Sequence, residues 1–191
     1  LAIYGQELAY STPALIGLAL GIYGLAQAIL QIPFGNLSDK FGRKPVILIG
    51  LFIFILGLIV GYLADNIYTF ILARTLQGSG AIMAVAYAWV GDKIHQNMRS
   101  QGMGIVGMLV GMSAVLAFLG GPILYRWFSV PEMFLFCALL AFAAWLFILF
   151  GLEKDEKSQS PTEVSKGNFF LLLQDKTLVK LFLAGFIVNY L

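Results

Sequence analysis

Long apolar runs separated by short polar breaks organise this chain. Residues 13–34, 45–64, 67–91, 102–124 and 133–152 each offer the stretch of about 20 mostly apolar residues that crosses hydrocarbon. None alternates apolar with polar residues, so the runs predict helices and exclude the strands of a β-barrel. Ser11-Thr12-Pro13 has the N-cap and first-turn chemistry of a helix start. The polar segment from Gly35 to Lys44 reads as a loop that ends the first span, and Pro45 opens the second. Asp65-Asn66 reads as a tight turn, 92–101 as a polar loop, and Arg126 to Glu132 as a short turn. Residues 1–10 are too short to span, and Gln6 and Glu7 interrupt them; they read as the tail of another helix and an outer loop. Beyond the fifth span, 153–176 break the pattern with charge, Ser and Pro, around an amphipathic piece at Phe169-Phe170-Leu171-Leu172-Leu173. Residues 177–191 begin a further apolar helix.

Composition supports the same picture. The 191 residues are 60% hydrophobic and 12% charged, with a mean hydropathy of +0.87. A soluble domain carries about a quarter charged residues. The expected fold is therefore all-α, a polytopic transmembrane helical bundle. Cys137, the single cysteine, excludes an internal disulfide framework and reads as a packing residue in an apolar run. The chain starts at Leu1 without an initiator Met, shows no signal peptide, and stops inside an apolar run. It reads as a piece of a longer polytopic protein.

Charge then orients the spans. Lys40, Arg43 and Lys44, then Lys93 and Arg99, then Lys154, Lys157 and Lys166 fall in loops on one side, where Lys176 and Lys180 join them. The other side carries Arg126 with the acids Glu7, Asp65 and Glu132, while Arg74 lies within a span. By the positive-inside rule the basic loops are expected in the cytoplasm.

Candidate chemistry concentrates at a few points. Gly35-Asn36-Leu37-Ser38-Asp39-Lys40-Phe41-Gly42-Arg43-Lys44-Pro45 is too charged for hydrocarbon and belongs at a membrane face. Gly35 would let helices approach, Gly42 would permit unusual dihedrals, and Asp39 is a fixed anion for a cation or a helix N-terminus. Topogenic charge alone explains the basic residues but not the Gly-Asp-Gly spacing. Arg74, with Gln77 three residues on, is an intramembrane charge; it reads as functional or as a snorkelling side chain. Asp92 at a helix C-terminus opposes the macrodipole and wants a cation such as Arg43 or Lys40. Tyr23, Gln27 and Gln31 recur at i, i+4 and i+8, a polar face for a cavity or for interhelical hydrogen bonds. Gly17, Gly21 and Gly24, or Gly57 and Gly61, read as packing surfaces. Gly121-Pro122, preceded by Gly104, Gly107 and Gly111, reads equally as a bend and as glycine-rich packing. His95 reads as a solvated loop residue. No His/Glu metal cluster, phosphate-binding loop or nucleophile elbow occurs, so no metal, catalytic residue or nucleic-acid partner is expected.

The spacing G-x-L-x-D-x-x-G-R-K, carried by Gly35, Asp39, Gly42, Arg43 and Lys44, resembles the signature loop between the second and third helices of the major facilitator superfamily of transporters. Arg74-x-x-Gln77-Gly78-x-Gly80 resembles a second motif, in the fourth helix of proton-coupled members. The wording from Gly21-Ile22-Tyr23 to Gln31-Ile32-Pro33 looks most like the YajR-type bacterial members, classed with drug/proton antiporters. The resemblance implies the first half of a twelve-helix protein, from the end of its first helix to the start of its seventh, with alternating access about a midplane site. It implies a conformational latch at Asp39, an arginine partner at Asp92, and proton coupling at Arg74. Gly121-Pro122 matches the antiporter fifth-helix motif in part: Ala117 stands for a usual glycine, and Tyr125 and Arg126 replace the trailing pair.

The function expected from this resemblance is secondary active transport, proton-coupled export of small organic compounds. Alternatives are uptake of a sugar or metabolite, and a receptor or scaffold that keeps the fold without cycling. Cavity contacts are expected at Tyr23, Gln27, Gln31 and Gln77. No cofactor is expected beyond the proton gradient as energy source. The partners expected are a small-molecule substrate, membrane lipids of the inner (plasma) membrane and the second half of the same protein, in a monomer.

Overall fold

The computed structural model describes residues 2–95 and 98–152. The expected central loop at 153–176, its amphipathic piece, and the helix start at 177–191 lie outside the described residues. Seven helices follow in order: α1 Ala2–Glu7, α2 Pro13–Phe41, α3 Arg43–Tyr62, α4 Ile67–Ser79, α5 Ile82–Lys93, α6 Arg99–Leu124 and α7 Val130–Gly151. With α4 and α5 taken as one interrupted span, five segments among the described residues are long and apolar enough to cross a membrane.

Local chemistry sets most helix starts. The Thr12 hydroxyl accepts from the Leu15 amide ahead of Pro13, and the Asn66 side chain accepts from Thr69 at the head of α4. Ser129 and Glu132 form a capping box, which draws Glu132 from the expected turn into the first turn of α7.

The expected loop 92–101 likewise shortens, with Asp92 and Lys93 in α5 and Arg99–Gln101 in α6, and two larger departures lie elsewhere. The helix expected to close at Phe34 continues through Gly35 and Asp39 to Phe41, so the expected ten-residue loop contracts to Gly42. The 29 residues of α2 measure about 43 Å at 1.5 Å per residue, against about 30 Å of hydrocarbon. The charged end can therefore leave the lipid without leaving the helix, and Arg43, not Pro45, begins α3. The second departure lies within the run 67–91, which breaks at Gly80-Ala81. Ala81 is buried and left-handed at φ 39°, and the amides of Gly80 and Ala81 reach back three residues to Gln77 and Gly78. The weak helix formers of Gly78-Ser79-Gly80 give way where Gly50 of α3 lets the irregular backbone sit against protein.

α4 packs on both α2 and α3, and α7 packs on α3. A core cluster of Leu58, Ile67, Phe70 and Phe134 fills one end, where Phe70 meets Tyr4 and Phe134 edge-on at 5.7 and 6.0 Å. There the Ala9 carbonyl accepts from the Ile67 amide and Tyr4 donates to the Ala64 carbonyl, so Tyr4 and Ala9 hold the turn before α4. A second cluster of Val46, Ile47, Leu51 and Val85 fills the basic end, where the Trp145 indole donates to the Leu48 carbonyl at 3.0 Å. α6 has no buried residue and touches α5 through its N-terminal part. Gly57 and Gly61 pack, on Gln77 and Phe134 respectively, whereas Gly17, Gly21, Gly24 and Gly35 face open space; Gly35 brings no helix close.

Gly42 sits at φ 94°, ψ 157°, a region essentially restricted to glycine. Gly42→Ala is expected to destabilise the full-length protein by about 1–3 kcal/mol, read as a fall in melting temperature. An unchanged melt would mean that the turn tolerates a side chain.

Candidate functional site

The basic end is built around Arg43. Placed at the start of α3 by the Gly42 reversal, its guanidinium turns back onto the last turns of α2. Nη1 lies 2.5 Å from both the Asp39 carboxylate and the Ser38 hydroxyl, and Nε donates to Asp92 of α5 at 3.0 Å. Ser38, 1% exposed, donates in turn to the Gly35 carbonyl at 2.7 Å. One cation thus ties α2, α3 and α5 together, and both carboxylates offset a positive charge at a helix N-terminus that the macrodipole disfavours. Arg43 is 18% exposed and Asp92 29%, whereas Asp39 is 60% exposed, so the Asp92 pair is the less screened of the two. Lys44 points elsewhere: its ammonium donates to the Leu149 carbonyl at 3.0 Å and to the Leu152 carbonyl. It closes the last turn of α7, where a cation suits the dipole.

The second constellation lies inside the bundle. Arg74 of α4 lines a cavity of about 670 Å³. Its Nη1 donates to the Gln77 side-chain oxygen at 2.8 Å, and the Gln77 amide donates to the Gly57 carbonyl at 3.1 Å. The Tyr23 ring lies over the guanidinium carbon at 4.7 Å, a cation–π contact. Arg74 Nε is buried with no partner. Arg74 is thus held inside the bundle and does not snorkel to an end. Gly121 and Pro122 contribute to its lining, and Phe54, Tyr125 and Phe134 supply aromatic wall.

The structure therefore brings Tyr23, Arg74, Gln77, Gly121 and Pro122 together. Gln27 and Gln31 are half-buried on α2 but do not line the cavity. Sequence reasoning passed over Ser38, whose one signal is a hydroxyl beside the Asp39 of the motif. It also missed Tyr4, Tyr125 and Cys137, which line the cavity; Tyr4 stood in a segment set aside as a tail, and Cys137 was read as plain packing. Among the described residues no group of His, Cys, Asp or Glu has a metal-binding arrangement.

A double-mutant cycle of Arg43→Ala with Asp92→Ala in the full-length protein should return about 1 kcal/mol of coupling. The cycle with Asp39→Ala should return less, about 0–0.5 kcal/mol, because that carboxylate is largely hydrated. Unfolding in graded denaturant measures both, and equal couplings would mean that exposure does not rank the pairs.

The family model of the Major Facilitator Superfamily matches residues 1–191. The chain is 38% identical over 183 residues to the "Inner membrane transport protein YajR" of Escherichia coli, covering 95% of this chain and 40% of that protein. It is 34% identical over 194 residues to the "Uncharacterized transporter BU466" of Buchnera aphidicola, covering 100% of this chain and 50% of that protein. A more distant relative, the "Multidrug resistance protein MdtL" of Vibrio parahaemolyticus, is 27% identical over 148 residues, 76% of this chain and 37% of that protein. The chain thus spans half or less of the length of these relatives.

Proposed function

The chain belongs to the major facilitator superfamily, and on that footing we propose that it is the first-half bundle of a secondary active transporter, one that exports small organic compounds by proton-coupled antiport. The observation that carries the proposal is Arg74, a cation inside a membrane-spanning segment, set in an aromatic cavity and braced by Gln77 and Tyr23. Holding a guanidinium there is costly, and such groups mark substrate or proton pathways. Arg74 takes the coupling role, and Tyr23 and Gln77 fix its position. The likeness to a multidrug resistance protein favours export over uptake.

The Arg43 cluster acts as the latch. Arg43 fixes α2, α3 and α5 together at the basic end, while Asp39 keeps most of its carboxylate exposed. That carboxylate is free to meet a helix N-terminus of the second half, and the contact would favour the outward-facing state. The protein is a monomer of the inner membrane with this end in the cytoplasm, and it draws energy from the proton gradient.

In proteoliposomes of the full-length protein, Asp39→Ala should cut flux about tenfold or more, the kinetic weight of one lost charge-assisted contact. Protein level and melting temperature should hold, and wild-type flux would sink the latch role. Arg74→Ala should retain downhill leak yet lose its dependence on an imposed pH gradient. Undiminished gradient dependence would remove Arg74 from the coupling path.

A further inference from the structure

The cavity around Arg74 has a charge pattern that specifies more than a place for cargo. Arg74 is the one charged side chain that lines it among the described residues; the remaining wall is mainly aromatic and aliphatic, with Cys137 on the α7 side. Arg74 Nη1 is held by Gln77 and the π face of Tyr23 covers the guanidinium carbon, but neither contact supplies negative charge. Nε is buried without a partner, so no group among the described residues offsets its burial. A guanidinium suits a carboxylate through charge-assisted N–H···O bonds. Lysine would offer a point charge here; arginine offers a shaped receptor. At about 670 Å³ the cavity is of a size for a small organic molecule, and its aromatic wall suits a ring.

We propose that this cavity binds aromatic carboxylates, with the anion on the Arg74 guanidinium and the ring against Tyr23, Phe54 and Phe134. The proposal rests on the transport reading, because it names the cargo class of that same cavity. Tyr23 then serves twice, fixing the guanidinium and bounding the space for the ligand's ring. Gln77 and Tyr23 already hold the guanidinium, so the arginine enters binding oriented, with little rotamer entropy left to lose.

Cys137 provides a reporter within the wall. In the full-length protein, the rate at which N-ethylmaleimide alkylates Cys137 is followed by mass spectrometry of the peptide that contains it. Benzoate and 1-naphthoate are titrated against benzylamine and benzyl alcohol, with Cys137→Ser as the control for the assigned peptide. The carboxylates should protect at concentrations about 10- to 100-fold lower than benzyl alcohol, the ratio that one charge-assisted pairing gives. Benzylamine should not protect at all. Arg74→Gln should abolish the preference and Arg74→Lys should keep part of it; the lysine variant carries the test if the glutamine variant does not fold. Equal protection by amine and carboxylate, or no protection by any carboxylate, overturns the proposal, because the guanidinium is then already neutralised within the protein. The transport reading fails separately: carboxylate protection without vesicle flux of any compound supports the binding site and removes the transporter. Flux of other compounds without carboxylate protection does the reverse.

Discussion

The architecture depends on how closely α2 and α3 approach α4. A Cβ at Gly78 would lie 2.2 Å from the Tyr23 carbonyl oxygen, and one at Gly57 would lie 2.7 Å from the Gln77 amide nitrogen. Lipid supplies no hydrophobic force between helices, so packing and interhelical hydrogen bonds must hold them. Both approaches converge on Arg74. The α2 contact brings the Tyr23 ring over the guanidinium; the α3 contact lets Gln77 donate to the Gly57 carbonyl while it accepts from Arg74. Two backbone contacts that need glycine thus position a cation that no other described side chain of the cavity neutralises.

The basic end follows another rule, that charge must leave hydrocarbon. Having left, it is not merely solvated. Arg43 bonds back to α2 and across to α5, and Lys44 closes the last turn of α7. Two of the ten basic residues in the charge count, Arg43 and Lys44, also crosslink four helices, α2, α3, α5 and α7. A topogenic reading and a structural reading of this turn are therefore compatible, since one sets which side it faces and the other what it holds.

The spans were legible because a run of about 20 apolar residues has few alternatives in a chain this hydrophobic. Their ends were not. Polarity at Gly35 to Phe41 marks exit from lipid, and it was mistaken for exit from the helix, although a helix can continue into water. The break at Gly80-Ala81 was hidden because its cause is tertiary, the space that Gly50 leaves on α3. In the site, Arg74 and Gln77 were legible as an i, i+3 pair. Gln27 and Gln31 were overcounted for a geometric reason: each i+4 step turns about 40° past a full turn, so by Gln31 the face has rotated about 80° from Tyr23. Tyr4, Tyr125 and Cys137 reach the cavity from three other helices or their ends, and no local pattern announces such convergence.

The same break separates the two constellations along one span. Arg74 stands on α4 and Asp92 on α5, with the left-handed Ala81 between them. The i→i−4 ladder that would make 67–93 a single rod is replaced at the junction by two reach-backs of three residues. What joins the halves instead is packing, Gly80 and Ile82 against Gly50 of α3, where even a methyl group would collide at 2.4 Å. α3 also carries Arg43 at its start and Gly57, the carbonyl partner of Gln77, further along. Two continuous elements therefore run between the turn and the cavity beside the broken span: α2, with Ser38 and Tyr23, and α3, with Arg43 and Gly57.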